Sequence, residues 1–362
     1  MYYRLFDCWR FIAALLIMAY HFLFAAPYGA EAGTEFLRRL LPLLDMFFMI
    51  SGFFITTRYG GELRGVADYR GFLRRRIARL YPLHVIVTLF FVAVAVAAMF
   101  AGAENYPWRQ ELEAVPLHLL AIHALGTTEH LALNYVSWSV SAEFFCYAAF
   151  PLVVLAMRWK GLLGLGLGLF TGCWILGLEI ASRAGVFPSG HWTSADTMGA
   201  YRAFADFCIG AFIAQVVARR PIDLRSHLPG IALLAAAVAG MIWQMPTYPV
   251  LLLLAASLTA TALAETARPD STAALRFAMP FTKVSFGIYL WHPVMEFIFI
   301  IVIWNRWLGA TGSVDFYVFW LLPMAATLAV AMLSDRYLER RFGTLIAGPK
   351  RPASREARFV SA

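Results

Sequence analysis

Arg10 and His21 lie in one apolar run, Phe6 to His21, and are the groups in it that hydrocarbon tolerates least. An arginine at a bilayer centre costs at least about 2.5–3.5 kcal/mol, so an ionisable group in such a run marks a working site by default. Eleven residues separate the two. At about 100° per residue that is three turns and roughly 20°, which puts both side chains on one helical face, about 16 Å apart along the axis. A guanidinium offers a fork of donors for phosphate, and an imidazole can take and return a proton near neutral pH. A face carrying both should look into a polar interior.

Other chemistry-bearing residues recur along the chain. Asp45 precedes the run Phe47-Phe48-Met49-Ile50-Ser51-Gly52-Phe53, a few residues inside the outer end of the second apolar stretch. Arg76 and Arg79 are three apart, hence neighbours on a helix. They either orient the chain by charge or form two forks for a phosphorylated ligand such as a nucleotide or coenzyme A, and spacing does not choose between these. Glu143 follows Ser137-Trp138-Ser139 and falls at about the same depth as His21 and Asp45, counted at 1.5 Å per residue. A carboxylate beside an imidazole fixes its tautomer and stabilises its charged form. The expectation is therefore a catalytic group of His21, Glu143, Asp45 and Arg10. Further on, Tyr289 and His292 share a face, Glu296 follows His292 by four, and Pro293 frees a carbonyl one turn earlier.

Helices crossing a membrane must hold these residues. Of the 362 residues 61% are hydrophobic and 14% charged, against about 25% charged in soluble domains, and the mean hydropathy is +0.67. Apolar stretches long enough to span fall at 5–26, 40–58, 80–101, 135–157, 161–181, 201–218, 228–244, 248–265, 283–304 and 316–336. The fold class is thus an all-α polytopic membrane bundle of about ten transmembrane helices. The first run lacks a small-residue cleavage site behind it and reads as a retained helix. With the N-terminus in the cytoplasm, Lys and Arg concentrate on the cytoplasmic side. The opposite side receives only Arg38, Arg39, Arg109, Arg183, Arg202 and Arg306. This positive-inside bias places both termini in the cytoplasm and accounts for the net charge of +8 by orientation and anionic lipid, with no nucleic-acid partner. Residues 1–345 read as the membrane domain and 346–362 as a basic, disordered tail.

Several patterns have ordinary readings. His118, His123 and His130 sit in one outer loop, but spacings of five and seven fit no metal pattern, so surface or interfacial histidines are expected and no metal site. Within that loop, 115–126 is too short to span and reads as a buried or interfacial helix. The glycines from Lys160 to Gly168 follow no strand and read as close helix packing. Cys8, Cys146, Cys173 and Cys208 have no C-x-x-C spacing and read as small core residues.

Five runs together resemble the acyltransferase-3 family of bacterial membrane acyltransferases. They are Arg10-x10-His21, Phe47-Phe48-x-x-Ser51-Gly52-Phe53, Arg76-x-x-Arg79-x-Tyr81-Pro82, Ser137-Trp138-Ser139-x-x-x-Glu143-x-x-x-Tyr147 and Tyr289-Leu290-Trp291-His292-Pro293. Their order is that of the family, over residues 5–339. Cys8 stands where the family usually has Gly, and Glu339-Arg340-Arg341 where it usually reads Glu-x-Pro. The resemblance implies an O-acyltransferase of the bacterial cytoplasmic membrane. It would carry an acyl group, most simply acetyl, from cytoplasmic acyl-CoA to a hydroxyl of an extracytoplasmic or lipid-linked glycan. Acetyl-CoA would be a donor substrate, not a resident cofactor. Arg76, Arg79 and Arg10 would hold the donor, with Tyr289 and His292 nearby, and His21 would be the base. A transporter with an intramembrane Arg/His/Glu path is the alternative, and a non-catalytic membrane subunit is a third.

Overall fold

In lipid every backbone N–H and C=O must be satisfied within its own segment, which drives apolar runs into helices. The computed structural model describes residues 3–159 and 165–347, and no strand occurs among them. The first half contains α1 (Arg4–Phe24), α2 (Glu31–Arg39), α3 (Leu43–Tyr59), α4 (Val66–Phe100), the short α5 (Trp108–Glu113) and α6 (Val115–Leu119), and α7 (Trp138–Arg158). Then come α8 (Gly166–Arg183), α9 (Gly199–Arg219), α10 (Leu228–Ile242), α11 (Thr247–Ala267), α12 (Ser285–Met295), α13 (Leu321–Ser334) and α14 (Arg340–Ala347).

Among the described residues eight helical stretches are long and apolar enough to cross a membrane, fewer than the ten expected. The two others are helices outside that set. α10 has 15 residues, about 22 Å of helix against a hydrocarbon core of about 30 Å. α8 has 18 residues; of the glycine-rich stretch 160–168 expected to open it, 160–164 lies outside the described residues, while Cβ atoms added at Gly166 and Gly168 would crowd the Ala156 carbonyl and the Phe212 ring. Of the tail expected at 346–362, Ile346 and Ala347 close α14 and the rest, from 348 onward, lies outside the described residues.

Close approach of α3 and α9 sets the centre of the bundle. Cβ atoms added at Gly52 and Gly210 would fall on the backbone carbonyls of Phe207 and Met49 respectively. Small residues at a crossing let two membrane helices touch backbone to backbone. Gly52→Ala or Gly210→Ala should therefore lower the thermal midpoint of the detergent-solubilised protein, since overpacking commonly costs about 1–3 kcal/mol. Gly172→Ala, where an added Cβ meets nothing within 4 Å, should not; equal midpoints for all three variants would contradict the crossing.

The crossing carries a buried ion pair. Arg202 Nε and Nη2 each lie 2.6 Å from Asp45 Oδ1, and the two residues are 7% and 2% exposed. Arg202, counted above as an outside loop charge, is thus inside α9. Asp206, one turn on, is fully buried, with neither carboxylate oxygen hydrogen-bonded.

Two features shape the second half. Pro293 removes one helical donor, and the helix then widens into a π-helix over Glu296–Leu308. π-Turns concentrate at functional sites. After α13 a second π-turn, Asp335–Glu339, leads into α14. With Arg341 where the family pattern has proline, no ring interrupts the helix, and α14 packs back against α4.

The outer segment 102–134 is not a plain loop. α5 and α6 fold it onto the bundle, and Leu133, at φ 53°, donates its N–H to the Glu111 carboxylate. His118 and His123 are 1% and 2% exposed, which corrects the expectation of surface histidines. Their rings stack at 3.7 Å and 7°, His84 Nε2 donates to the His118 carbonyl at 2.8 Å, and Ser137 Oγ is 3.2 Å from His123 Nε2. Parallel stacked rings cannot aim their in-plane nitrogens at one ion, and no metal-ligating group of three or more is found among the described residues.

Burial pushes His118 down to about 2 and His123 down to about 4. Both native pKa values lie below the unfolded value of about 6.5, so the unfolded state binds more protons between these limits. Stability from this cluster is complete above about pH 6.5 and falls as the pH drops towards 4. Melting curves across that range should show the loss, and replacing both histidines by asparagine should flatten it. An unchanged slope would mean that these rings titrate normally.

Candidate active site

A cavity of about 580 Å³ runs between α1, α3, α4, α7 and α12. At one end lie Arg76, Arg79, Lys283 and Arg340, and its walls carry Asp7, Arg10, Ser51, Glu143, Tyr147 and Tyr289. α4 places Arg76 and Arg79 there because its N-terminal half is polar and its C-terminal half apolar. Arg76 Nη2 donates to Tyr59 Oη at 3.2 Å, while its Nε is buried with no partner. Arg58, Arg75 and Arg76 all lie over the Tyr59 ring, at 5.5, 5.2 and 5.3 Å. Deeper in, Arg10 lies over Phe47 at 5.6 Å, and its Nε also has no partner. Unsatisfied buried guanidinium donors are costly, and an anionic ligand in the cavity would meet them.

Glu143 faces this cavity. Its Oε2 accepts from Ser51 Oγ at 3.0 Å, and Arg10 and Arg76 are the cations acting on it. It makes no hydrogen bond to His21. The expectation that Glu143 or Asp45 orients His21 is therefore corrected. Matched depth fixes height along a helix but not direction around it. Glu143 points at α3 through Ser51, and Asp45 is committed to Arg202.

His21 is instead paired with His292. His21 Nδ1 and His292 Nε2 are 2.8 Å apart, with rings nearly parallel at 9°. His292 is fully buried and His21 partly exposed. His292 was grouped with the donor-binding residues by sequence; it does not line the cavity, and neither does His21. Tyr289 joins the two regions, because it lines the cavity and its ring lies 5.8 Å from that of His292. Hence Arg10, Arg76, Arg79, Glu143 and Tyr289 gather in one chamber, His21 and His292 sit beyond its end, and Asp45 belongs to neither.

With Nδ1 engaged, Nε2 is the His21 nitrogen left to act as a base. For that nitrogen to hold a lone pair, Nδ1 must carry the proton and donate it to His292 Nε2.

A family model described as an acyltransferase domain matches residues 3–336. The chain belongs to the acyltransferase-3 family. That family is described as an acyltransferase domain, and the helices long and apolar enough to cross a membrane fit a multi-pass member of it. Among curated proteins the chain is similar to the acyltransferase MdmB of Streptomyces mycarofaciens, 29% identical over 150 residues. That stretch is 40% of this chain and 37% of the relative, so the chain spans little more than a third of its length. No solved structure matches.

The residue pattern alone missed part of the chamber. Lys283 and Arg340 join its cationic end and Asp335 holds Arg340 at 2.7 Å. The departure at 339–341 was the available signal, since a helix freed of proline can carry Arg340 inward. Tyr135, whose ring stands 4.9 Å from His21, carried no signal beyond preceding Ser137.

Proposed function

We propose that the protein transfers an acyl group, acetyl in the simplest case, from cytoplasmic acyl-CoA to a hydroxyl of an extracytoplasmic or lipid-linked glycan. The observation that carries this reading is a single cavity whose one end is cationic and whose wall residue Tyr289 adjoins the His21–His292 pair. A coenzyme A donor carries phosphates at one end and a neutral thioester at the other. Its phosphates would meet Arg76 and Arg79, with Lys283 and Arg340 beside them, and Arg10 would contact it further in. Glu143, held by Ser51, would keep the Arg10 and Arg76 forks oriented.

At the far end His21 Nε2 would take the proton of the acceptor hydroxyl as its oxygen attacks the thioester carbonyl. The carbon–sulfur bond then breaks, and the departing thiolate receives that proton to leave as the free thiol. His292 would hold the His21 ring in the tautomer this requires. Asp45, paired with Arg202, would hold α3 against α9 and so support the chamber wall.

The basic bias of the sequence supports a bacterial cytoplasmic membrane setting, with both termini in the cytoplasm and lipid as the surrounding partner. The experiment is thiol release by purified protein in nanodiscs, supplied with a panel of acyl-CoA donors and glycans. Acceptor-dependent release with one donor class is expected. Release with no donor, or equal release without acceptor, would overturn the reading.

A further inference from the structure

Beside the histidine pair lies a polar group that donor binding and proton transfer do not use. Tyr135 Oη donates to Glu296 Oε2 at 2.7 Å. The Tyr135 ring stands edge-on to His21, 4.9 Å between centroids at 78°, and is 6.3 Å from His292. Tyr20 flanks His21 on another side at 5.1 Å. His21, Tyr135 and Glu296 are all partly exposed, whereas His292 is not. Glu296 opens the π-helix, four residues after His292, so both project from one face.

A carboxyl group inside an apolar span is expensive and marks function by default. A purely structural Tyr–Glu bond would account for one of its oxygens. Among the described residues Oε1 accepts no hydrogen bond, and it is not among the fully buried unpartnered atoms. Oε1 therefore keeps some exposure, as His21 does. A carboxyl oxygen pairs with a polar hydrogen-bonding group in either protonation state, and a hydroxyl can both donate and accept. Oε1 thus selects a hydroxylated ligand and disfavours an alkyl chain, which would strip its water without replacement. The flanking Tyr20 and Tyr135 rings offer apolar surface suited to the C–H face of a ring compound.

We propose that Glu296, positioned by Tyr135, is an acceptor-binding residue that takes a second hydroxyl of a polyhydroxylated ring while the first is presented to His21. This rests on the acyl-transfer reading above and narrows its acceptor to a polyol carrying a further hydroxyl beside the one acylated. Glu296 takes no part in bond making.

The test uses full-length protein in nanodiscs, acetyl-CoA as donor, and methyl hexopyranosides, their monodeoxy analogues and a simple monohydroxyl alcohol as acceptors. For Glu296→Gln the KM of hexopyranosides should rise roughly ten- to hundredfold. The KM for acetyl-CoA and the rate with the simple alcohol should stay unchanged. The unmodified protein should discriminate against one deoxy analogue, and the variant should lose that discrimination. Tyr135→Phe, which keeps the ring and frees the carboxylate, should show the same pattern more weakly, with coenzyme A titration checking that each variant is folded. An equal KM rise for alcohols and glycosides, or none for either, would overturn the proposal alone. Absence of transfer by the unmodified protein would overturn the acyl-transfer reading, and this one with it.

Discussion

Replacing His21 by alanine should lower acyl transfer about 10²–10⁴-fold, the usual contribution of a positioned general base. Coenzyme A binding should remain, because His21 does not line the cavity. The effect is expected to be large because a neutral hydroxyl is a poor nucleophile and no other described side chain combines an imidazole, partial exposure and this location. His292→Ala should cost less. It removes one hydrogen bond from the base, worth about 1.5–3 kcal/mol if that bond is to a charged ring, or roughly 10–150-fold. The order is diagnostic, since His292 as the base and His21 as its support would reverse it. Single-turnover transfer at matched protein levels, with coenzyme A titration alongside, decides the matter. Near-normal transfer by His21→Ala would remove this histidine from the mechanism.

What could be read from the chain, and what could not, follows from how each residue is held. The Arg10–His21 face was legible because an α-helix fixes both spacing and direction for residues within it. Its division was not: Arg10 enters the chamber, whereas His21 pairs outside it with His292, one turn along α12 from the lining residue Tyr289. Partners across helices were misassigned for the same reason. Counting residues gives height, while direction depends on which helix packs where, and that is set by contacts such as Gly52 on Phe207 and Gly210 on Met49. The histidines of 102–134 were misjudged because burial of an irregular segment leaves no periodicity to detect. Their environment is built from His84 of α4, 34 residues before His118, and from Ser137, just past the segment.

The donor end offers the other large effect. Arg76→Ala and Arg79→Ala should each weaken coenzyme A binding by about 1.5–3 kcal/mol, the worth of a charge-assisted hydrogen bond, or roughly 10–150-fold in Kd. Both residues line the cavity, and Arg76 has an unpartnered Nε beside a guanidinium clamped on Tyr59. Arg74 belongs to the same basic run but does not line the cavity. Arg74→Ala should thus change Kd less than about twofold, as expected of a screened surface charge. Arg76→Lys separates charge from geometry. A lysine keeps the charge but cannot supply a planar fork to Tyr59 and a phosphate together, so it should recover only part of the affinity lost in Arg76→Ala. Calorimetric titration of desulfo-coenzyme A at two salt concentrations makes the comparison. Equal losses at Arg74, Arg76 and Arg79, all vanishing at high salt, would reduce this end of the cavity to an unspecific basic surface.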